Sequence, residues 1–249
     1  MHRLLVLLAL SILPIGLSAQ INFGATFGIK SYYSDTNISG RYQGVDLRLD
    51  GDNGRLYNQG GLFLEINSEK YDFLSLRFNA KTHNQVFFLS VVDYDPPPEK
   101  GAIFIPNEKV FFALYQSYLF NVMPSLVVKR KIEYRFSLGY ELNYMHHKNK
   151  EGIFPYDASE RWLSRPTNQK LLDFANEAII QNPMKTFNHN LVLVAEARYW
   201  YLGLEVQYDA SINSIAEPIN FKGEFIYPFR MNTGNFSVNL NYYWKKISY

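Results

Sequence analysis

The sequence predicts an all-β protein whose antiparallel, up-and-down strands close into a transmembrane barrel. The clearest observation is the run from Ile132 to Met145, in which bulky apolar or aromatic residues alternate strictly with polar or very small ones. This is the period of a strand with one apolar face. Similar runs recur along the chain, and most approach the roughly 10 tilted residues that cross a bilayer. The chain also opens with an apolar stretch that is typical of an export signal.

Residues 1–19 are predicted to be a signal peptide. Arg3 precedes an apolar stretch that runs from Leu4 to about Leu17, and small residues place the cleavage site after Ala19. An N-terminal membrane anchor is the alternative. No later stretch has the ~18 consecutive apolar residues that a membrane-spanning helix needs. Residues 20–249 are therefore expected to be the barrel domain, with a partly helical loop insertion at about 146–187.

Composition narrows the classes of function. The chain has no cysteine, which excludes disulfides, thiolate metal sites and a catalytic thiol. Its 25 Lys and Arg nearly balance 23 Asp and Glu, so there is no electrostatic case for nucleic acid as a partner. The 19 Tyr, 19 Phe and three Trp suit strands, and Tyr and Trp also suit a membrane interface.

Ten segments show the alternation of a strand. They are 21–33, 57–67, 73–81, 85–94, 109–128, 132–145, 190–200, 201–212, 221–230 and 235–245, with the last two joined by a turn at 231–235. Bacterial barrels have even strand counts, short turns at one end and longer loops at the other. We expect about eight crossing strands, with 85–94 either separate or an extension of 73–81. Ten crossing strands is the alternative.

One segment has the period of a helix. Apolar residues recur at helical spacing in 168–181, and they are Leu171, Phe174, Ala175, Ala178 and Ile179. The predicted helix begins at Asn168, after Thr167 as a candidate N-cap, and ends at Gln181 before an Asn-Pro pair. Such a helix packs on its own loop or on the barrel mouth, or it serves as a lid, a plug or a docking site for a protein partner.

The polar faces of the strands carry charges of both signs. A soluble barrel would hold its apolar set inside, but large rings at most apolar positions exceed what a narrow interior accommodates. We therefore expect the apolar faces to contact lipid and the charges to pair in the lumen, as buried charges must. The predicted lumen network is Glu65, Arg77, Glu133, Arg135, Glu141, Glu196, Arg198 and Glu205, with Lys81 and Asp209 on the same faces.

The sequence predicts no catalytic, cofactor or metal site. Adjacent His146 and His147 lie near Glu151 and Asp157, but neighbouring residues on a strand point to opposite faces. No compact Ser, His and acid pattern and no phosphate-binding glycine loop is found. The chain is therefore expected not to be an enzyme.

Three hairpins resemble those of the small outer-membrane β-barrels of Gram-negative bacteria of the Bacteroidota type, especially the PorT-like barrels. The similar segments are GGLFLEINSEKYDFLSLRFN, YLFNVMPSLVVKRKIEYRFSLGYELNY and NLVLVAEARYWYLGLEVQYDASI, and the aromatic C-terminus is similar to the signal read by barrel-assembly machinery. The resemblance implies an outer-membrane location, with outer-membrane lipid and that machinery as partners. Some relatives assist protein secretion.

Three hypotheses for function follow. The first is a non-enzymatic outer-membrane barrel that acts through its loops as a scaffold or a secretion or assembly accessory. The second is a narrow channel for small or apolar solutes. The third is a lipid-modifying or proteolytic barrel enzyme, which requires a His hydrogen-bonded to a Ser or an acid on the outer face or rim.

Overall fold

The computed structural model describes residues 19–37, 41–42, 45–51, 55–93, 107–148, 184–215, 219–221, 225–227 and 230–244. Its strands are β1 (Ala19–Asn37), β2 (Arg41–Tyr42), β3 (Val45–Gly51), β4 (Leu56–Ser68), β5 (Leu74–Asp93), β6 (Asn107–Val128), β7 (Glu133–His147), β8 (Phe187–Tyr199), β9 (Leu202–Ser211), β10 (Ile219–Phe221), β11 (Phe225–Tyr227) and β12 (Arg230–Tyr243). The predicted helix at 168–181, most of the insertion and residues 1–18 of the predicted signal peptide lie outside the described residues. Within the described ranges, no helix is long and apolar enough to cross a membrane.

Eight strands close into a ring in the order β1, β4, β5, β6, β7, β8, β9 and β12. Each strand is antiparallel to both neighbours, and β12 closes the ring by pairing with β1 from Gly24↔Tyr243 to Asn37↔Arg230. Closure leaves no unpaired strand edge in the ring. The prediction of an eight-strand up-and-down barrel is confirmed, and the ten-strand alternative is wrong.

The structure decides one alternative that the sequence left open, and it corrects one predicted turn. Segments 73–81 and 85–94 form the single strand β5, which pairs with β6 along its whole length. The turn predicted at 231–235 is instead part of β12, because Gly234 pairs with Tyr33 on β1 and with Ala210 on β9. Pairing on both sides overrides the local turn preference of the Asn and Gly residues.

Four short strands, β2, β3, β10 and β11, lie outside the eight-strand ring. Strand β3 pairs with the C-terminal end of β5, and β2 pairs with β3. Strands β10 and β11 pair only with each other in the described part of the chain. Strands β2 and β3 therefore continue the barrel sheet, whereas β10 and β11 form a separate two-stranded sheet.

The connections sort by length to the two ends of the barrel. Residues 69–73, 129–132 and 200–201 form short turns at one end, which is also where β1 begins and β12 ends. The strand ends that are joined through 38–55, 94–106, 148–186 and 212–229 lie at the other end. This arrangement is the one found in bacterial outer-membrane barrels. We call the two ends the short-turn end and the long-loop end.

Pro124 interrupts pairing within β6 on one side only. It pairs with Leu76 of β5, but the β6–β7 pairing passes from Val122↔Tyr140 to Ser125↔Ser137 without a partner at Pro124. Proline lacks the donor that a ladder position needs. The register is the same on both sides of this gap, so the strand continues without a bulge.

Candidate functional site: the filled lumen

The outward face of the ring is apolar and uncharged. Among the outward side chains that the structure describes on the eight ring strands, none is Asp, Glu, Lys or Arg. The exposed ones include Phe23, Phe27, Ile29, Leu62, Phe120, Leu126, Phe136, Leu138, Leu191, Leu193, Leu202, Leu204, Val206, Phe236 and Leu240. Phe27 is 64% exposed, whereas its inward neighbour Thr26 is 1% exposed. A contiguous apolar surface of this extent is the kind that contacts lipid rather than water.

Aromatic side chains border this apolar face at both ends. At the short-turn end they are Tyr71, Phe73, Tyr134, Tyr199, Trp200, Tyr201, Tyr242 and Trp244, and at the long-loop end Tyr33, Tyr118, Tyr144 and Phe187. From Tyr134 to Tyr144, roughly 10 residues of ~3.3 Å rise and ~40° tilt span about 25 Å along the barrel axis. That is the height of the apolar band of membrane barrels, in which aromatic girdles mark the two interfaces.

The first group of lumen charges centres on Arg135 of β7. Its guanidinium forms a two-bond ion pair with Glu65 of β4 and lies 2.9 Å from Glu133. Glu133 also lies 3.7 Å from Arg198, and this pair is half-buried near the short turns. Arg135 and Glu65 are fully enclosed. Because β4 and β7 are not neighbours, their ion pair crosses the interior.

The second group fills the interior between β5 and the strands opposite it. Arg77 lies 2.8 Å from Glu196 of β8 and 3.2 Å from Glu205 of β9. Lys81 lies 2.8 Å from the same Glu205. The Tyr243 hydroxyl donates to Glu196 over 2.7 Å. Strands β5 and β9 are diametrically opposite in the ring, so these side chains bridge its full width.

The third group lies on the inner face toward the long-loop end. Lys30 of β1 lies 2.7 Å from Asp209 of β9, and Asn235 donates to the same carboxylate over 2.8 Å. Glu141 of β7 is also fully buried, but it accepts a hydrogen bond from Asn190 over 2.7 Å and has no cation within 4.0 Å among the described residues. Beyond this group, Tyr32 and His83 are hydrogen-bonded over 2.5 Å.

All eight residues of the predicted network have side chains on the inner side of the ring. Seven of them form one connected set of ion pairs. Arg198 contacts Glu133, and Glu133 contacts Arg135, which also contacts Glu65 and Glu196. Glu196 in turn contacts Arg77, and Arg77 contacts Glu205. Glu141 stands apart from the ion pairs. Sequence reasoning missed Lys30 and Tyr243. Lys30 lies an even number of residues from the inward Thr26, and Tyr243 lies an even number from the inward Asn241. Strand period was therefore the signal that could have placed both side chains in the lumen.

The geometry of this network suits a packed interior. Ion pairs between opposite strands occupy the space that a solute would need to cross the barrel. Buried charges persist when they are paired and hydrogen-bonded, and removing one partner leaves the other uncompensated. Asn241 and Asn239 also donate hydrogen bonds to Glu205, over 3.0 Å and 2.9 Å. The network therefore ties the ring strands together across the lumen.

The histidines that the structure describes on β7 and β8 lie on both faces of the ring. The outward His189 is hydrogen-bonded to the Tyr140 hydroxyl, and that partner is neither a serine nor an acid. His146 points outward and His147 inward, where His147 stacks on Tyr115 at a ring-centroid distance of 4.8 Å. Within the ranges that the structure describes, no group of three or more His, Asp or Glu could hold a metal ion.

Comparison with known proteins gives weak likenesses to solved structures. No protein-family model matches the chain, and no curated protein matches its sequence. Ail, the attachment invasion locus protein of Yersinia pestis, is 8% identical with a TM-score of 0.39, over 90% of this chain and 99% of that one. Neisserial surface protein A is 8% identical with a TM-score of 0.37, over 88% and 96%. The outer membrane protease OmpT of Escherichia coli is 9% identical with a TM-score of 0.37, over 91% and 96%. Likeness at this level assigns neither a family nor a function.

Proposed function

We propose that the protein is a non-enzymatic outer-membrane β-barrel that acts through its loops as a scaffold or as a secretion or assembly accessory, in the manner of the PorT-like barrels. The observation that carries this proposal is the pairing of an uncharged apolar outer face with an interior bridged by ion pairs. The outer face is suited to lipid, and the filled interior does not favour a channel. The connections at the long-loop end are then the surface through which the protein acts.

The distribution of short turns and longer connections between the two ends of the barrel supports the assignment to an outer membrane. Short turns at one end and longer connections at the other are typical of barrels inserted from the periplasm, with the longer loops outside. Lipid of that membrane and barrel-assembly machinery are the partners that this location requires. We also propose that the segment from Asn168 to Gln181 docks a protein partner, since its sequence has one apolar face.

Conductance across a planar bilayer tests the filled lumen. The full-length barrel, reconstituted at known density, is expected to give no reproducible channel steps. A Lys81→Ala, Glu205→Ala double variant serves as the matched control, because it removes one ion pair that bridges opposite strands. Steps from the parent as large as those from the double variant would contradict the proposal and favour the narrow channel.

A complementation assay tests the loop-based role. A strain lacking the protein is scored for secretion of proteins across the outer membrane, and is then given variants whose barrel folds normally. Replacing Leu171, Phe174 and Ile179 by Ser is expected to abolish complementation, because these residues form the apolar face of the predicted helix. Replacing Gln169, Lys170 and Asn176 by Ser is the control, and this variant should still complement fully. Full complementation by the apolar-face variant would refute docking by this segment.

A further inference from the structure

Among the described residues, Glu141 is the one deeply buried lumen acid that has no cation within ion-pair distance. The fully enclosed cations are Lys30, Arg77, Lys81 and Arg135, and the fully enclosed acids are Glu65, Glu141, Glu196, Glu205 and Asp209. Every acid of this set except Glu141 has a cation within ion-pair distance. The half-buried pair of Glu133 and Arg198 is neutral in itself. The enclosed interior of the described barrel therefore has one negative charge in excess, and an uncompensated buried carboxylate is strongly unfavourable.

Buried amide oxygens surround this carboxylate on three adjacent strands. Asn121 of β6 and Asn190 of β8 lie directly opposite Glu141 in the register, and Asn143 is the next inward residue on β7. Directly opposed residues of adjacent strands have Cβ atoms about 4.5–5.5 Å apart, which brings these side chains within reach of one another. All four side chains are at most 6% exposed.

Glu141 Oε1 accepts from Asn190, but the other four side-chain oxygens of this group lack donors. Glu141 Oε2 and the Oδ1 atoms of Asn121, Asn143 and Asn190 are buried without a hydrogen-bond partner, and Asn121 Nδ2 is the one unpartnered donor among them. Asn121 is thus unpartnered at both polar atoms although it is only 1% exposed. A single proton on Glu141 would satisfy one of the three amide oxygens. A hard cation, by contrast, takes several oxygen ligands at once.

We propose that Glu141, Asn121, Asn143 and Asn190 bind one monovalent alkali cation, such as Na⁺ or K⁺, inside the barrel. Carboxylate and amide oxygens are the ligands that hard cations prefer. One carboxylate with neutral amides matches a single positive charge, which brings the enclosed interior to neutrality. A divalent ion would leave an excess positive charge in the same place. The ion is taken up during folding, so the site needs no passage from solvent.

Cation-dependent stability tests the site. The full-length barrel is refolded in NaCl, KCl or N-methyl-D-glucamine chloride at equal ionic strength, and its unfolding midpoint is read from heat-modifiable migration. We expect a higher midpoint in NaCl or KCl than with the bulky organic cation, and loss of this difference in Glu141→Gln. Glu133→Gln, at the half-buried acid, should retain the difference. Equal midpoints of the wild-type protein in all three salts overturn the proposal.

Two measurements on the wild-type protein keep the test decisive if Glu141→Gln does not fold. After refolding in rubidium chloride and crystallisation, anomalous scattering should show a peak between Asn121, Glu141 and Asn190. Density for water alone at that place overturns the proposal. An infrared C=O band of a protonated carboxylic acid at neutral pH also overturns it, since Glu141 would then be neutralised by a proton.

Discussion

At the scale of single residues, the two faces of each ring strand obey opposite rules. Along β7, Leu138 is 53% exposed on the outer face, and it lies near the middle of the band between Tyr134 and Tyr144. Arg135 on the same strand is buried in the lumen, where it has three acidic partners. An arginine is thus stabilising on the inner face of the strand, and we expect arginine to be excluded from the outer face.

Leu138→Arg tests the rule for the outer face. A cation near the bilayer midplane on the lipid side costs about 2–4 kcal/mol, so we expect this variant to lose that much unfolding free energy in lipid vesicles. Urea titration followed by tryptophan fluorescence gives the value. Leu138→Met is the matched control and should change the unfolding free energy by less than about 1.5 kcal/mol. A Leu138→Arg barrel as stable as the parent would show that this position does not face lipid.

The pair formed by Lys30 and Asp209 tests the rule for the inner face. Breaking a buried ion pair from one side costs about 3–5 kcal/mol, so Lys30→Met and Asp209→Asn should each be strongly destabilising. The double variant should be less destabilised than the sum of the two, by about 0.5–3 kcal/mol, because neither charge is then left alone. Additive effects in the same urea titrations would mean that the two side chains do not interact.

At the scale of elements, close packing inside the ring limits which residues the strands tolerate. A Cβ placed on Gly203 of β9 would collide with Glu196 Oε1, the atom that accepts from Tyr243 and Asn241. A Cβ on Gly60 of β4 would meet nothing closer than 3.5 Å. The two glycines therefore lie in strands of the same ring but under different constraints.

Substitution by alanine distinguishes these two glycines. Gly203→Ala should destabilise the barrel by about 1–3 kcal/mol, because Glu196 must leave its hydrogen bonds to make room. Gly60→Ala should be neutral or stabilising by up to about 1 kcal/mol, since alanine restricts the unfolded chain without a clash. Urea titration of both variants checks the difference. Equal effects would contradict the close approach of Gly203 to Glu196.

Strand period predicted most of the elements and left others undetermined. The alternation in 132–145 predicted both the span of β7 and the outward direction of Leu138. It could not distinguish an interrupted β5 from a continuous one, because the continuity of the strand through His83 depends on pairing with β6 rather than on local preference. The turn expected at 231–235 was wrong for the same reason. Partners within the lumen, such as Lys30 with Asp209, depend on which strands face each other across a closed ring.

At the scale of the whole molecule, the barrel combines an apolar, uncharged outside with a polar, bridged inside. A soluble barrel of the same topology would have the reverse arrangement. Ion pairs between β5 and β9 and between β4 and β7 cross the ring in different directions. The strands are therefore connected by their neighbours' backbones and also across the lumen, which favours one rigid unit that presents the connections of the long-loop end.

The absence of cysteine makes the central claim directly measurable, because single spin labels can be placed without background sites. Labels at successive positions from 134 to 144, in the barrel reconstituted in lipid, are compared for collision with oxygen and with a water-soluble nickel chelate. Positions Tyr134, Phe136, Leu138, Tyr140 and Leu142 should show high oxygen and low nickel accessibility, alternating with shielded positions Arg135, Ser137 and Glu141. Low oxygen accessibility at the first set, or its contact with the nickel chelate, would contradict an outward lipid-facing surface.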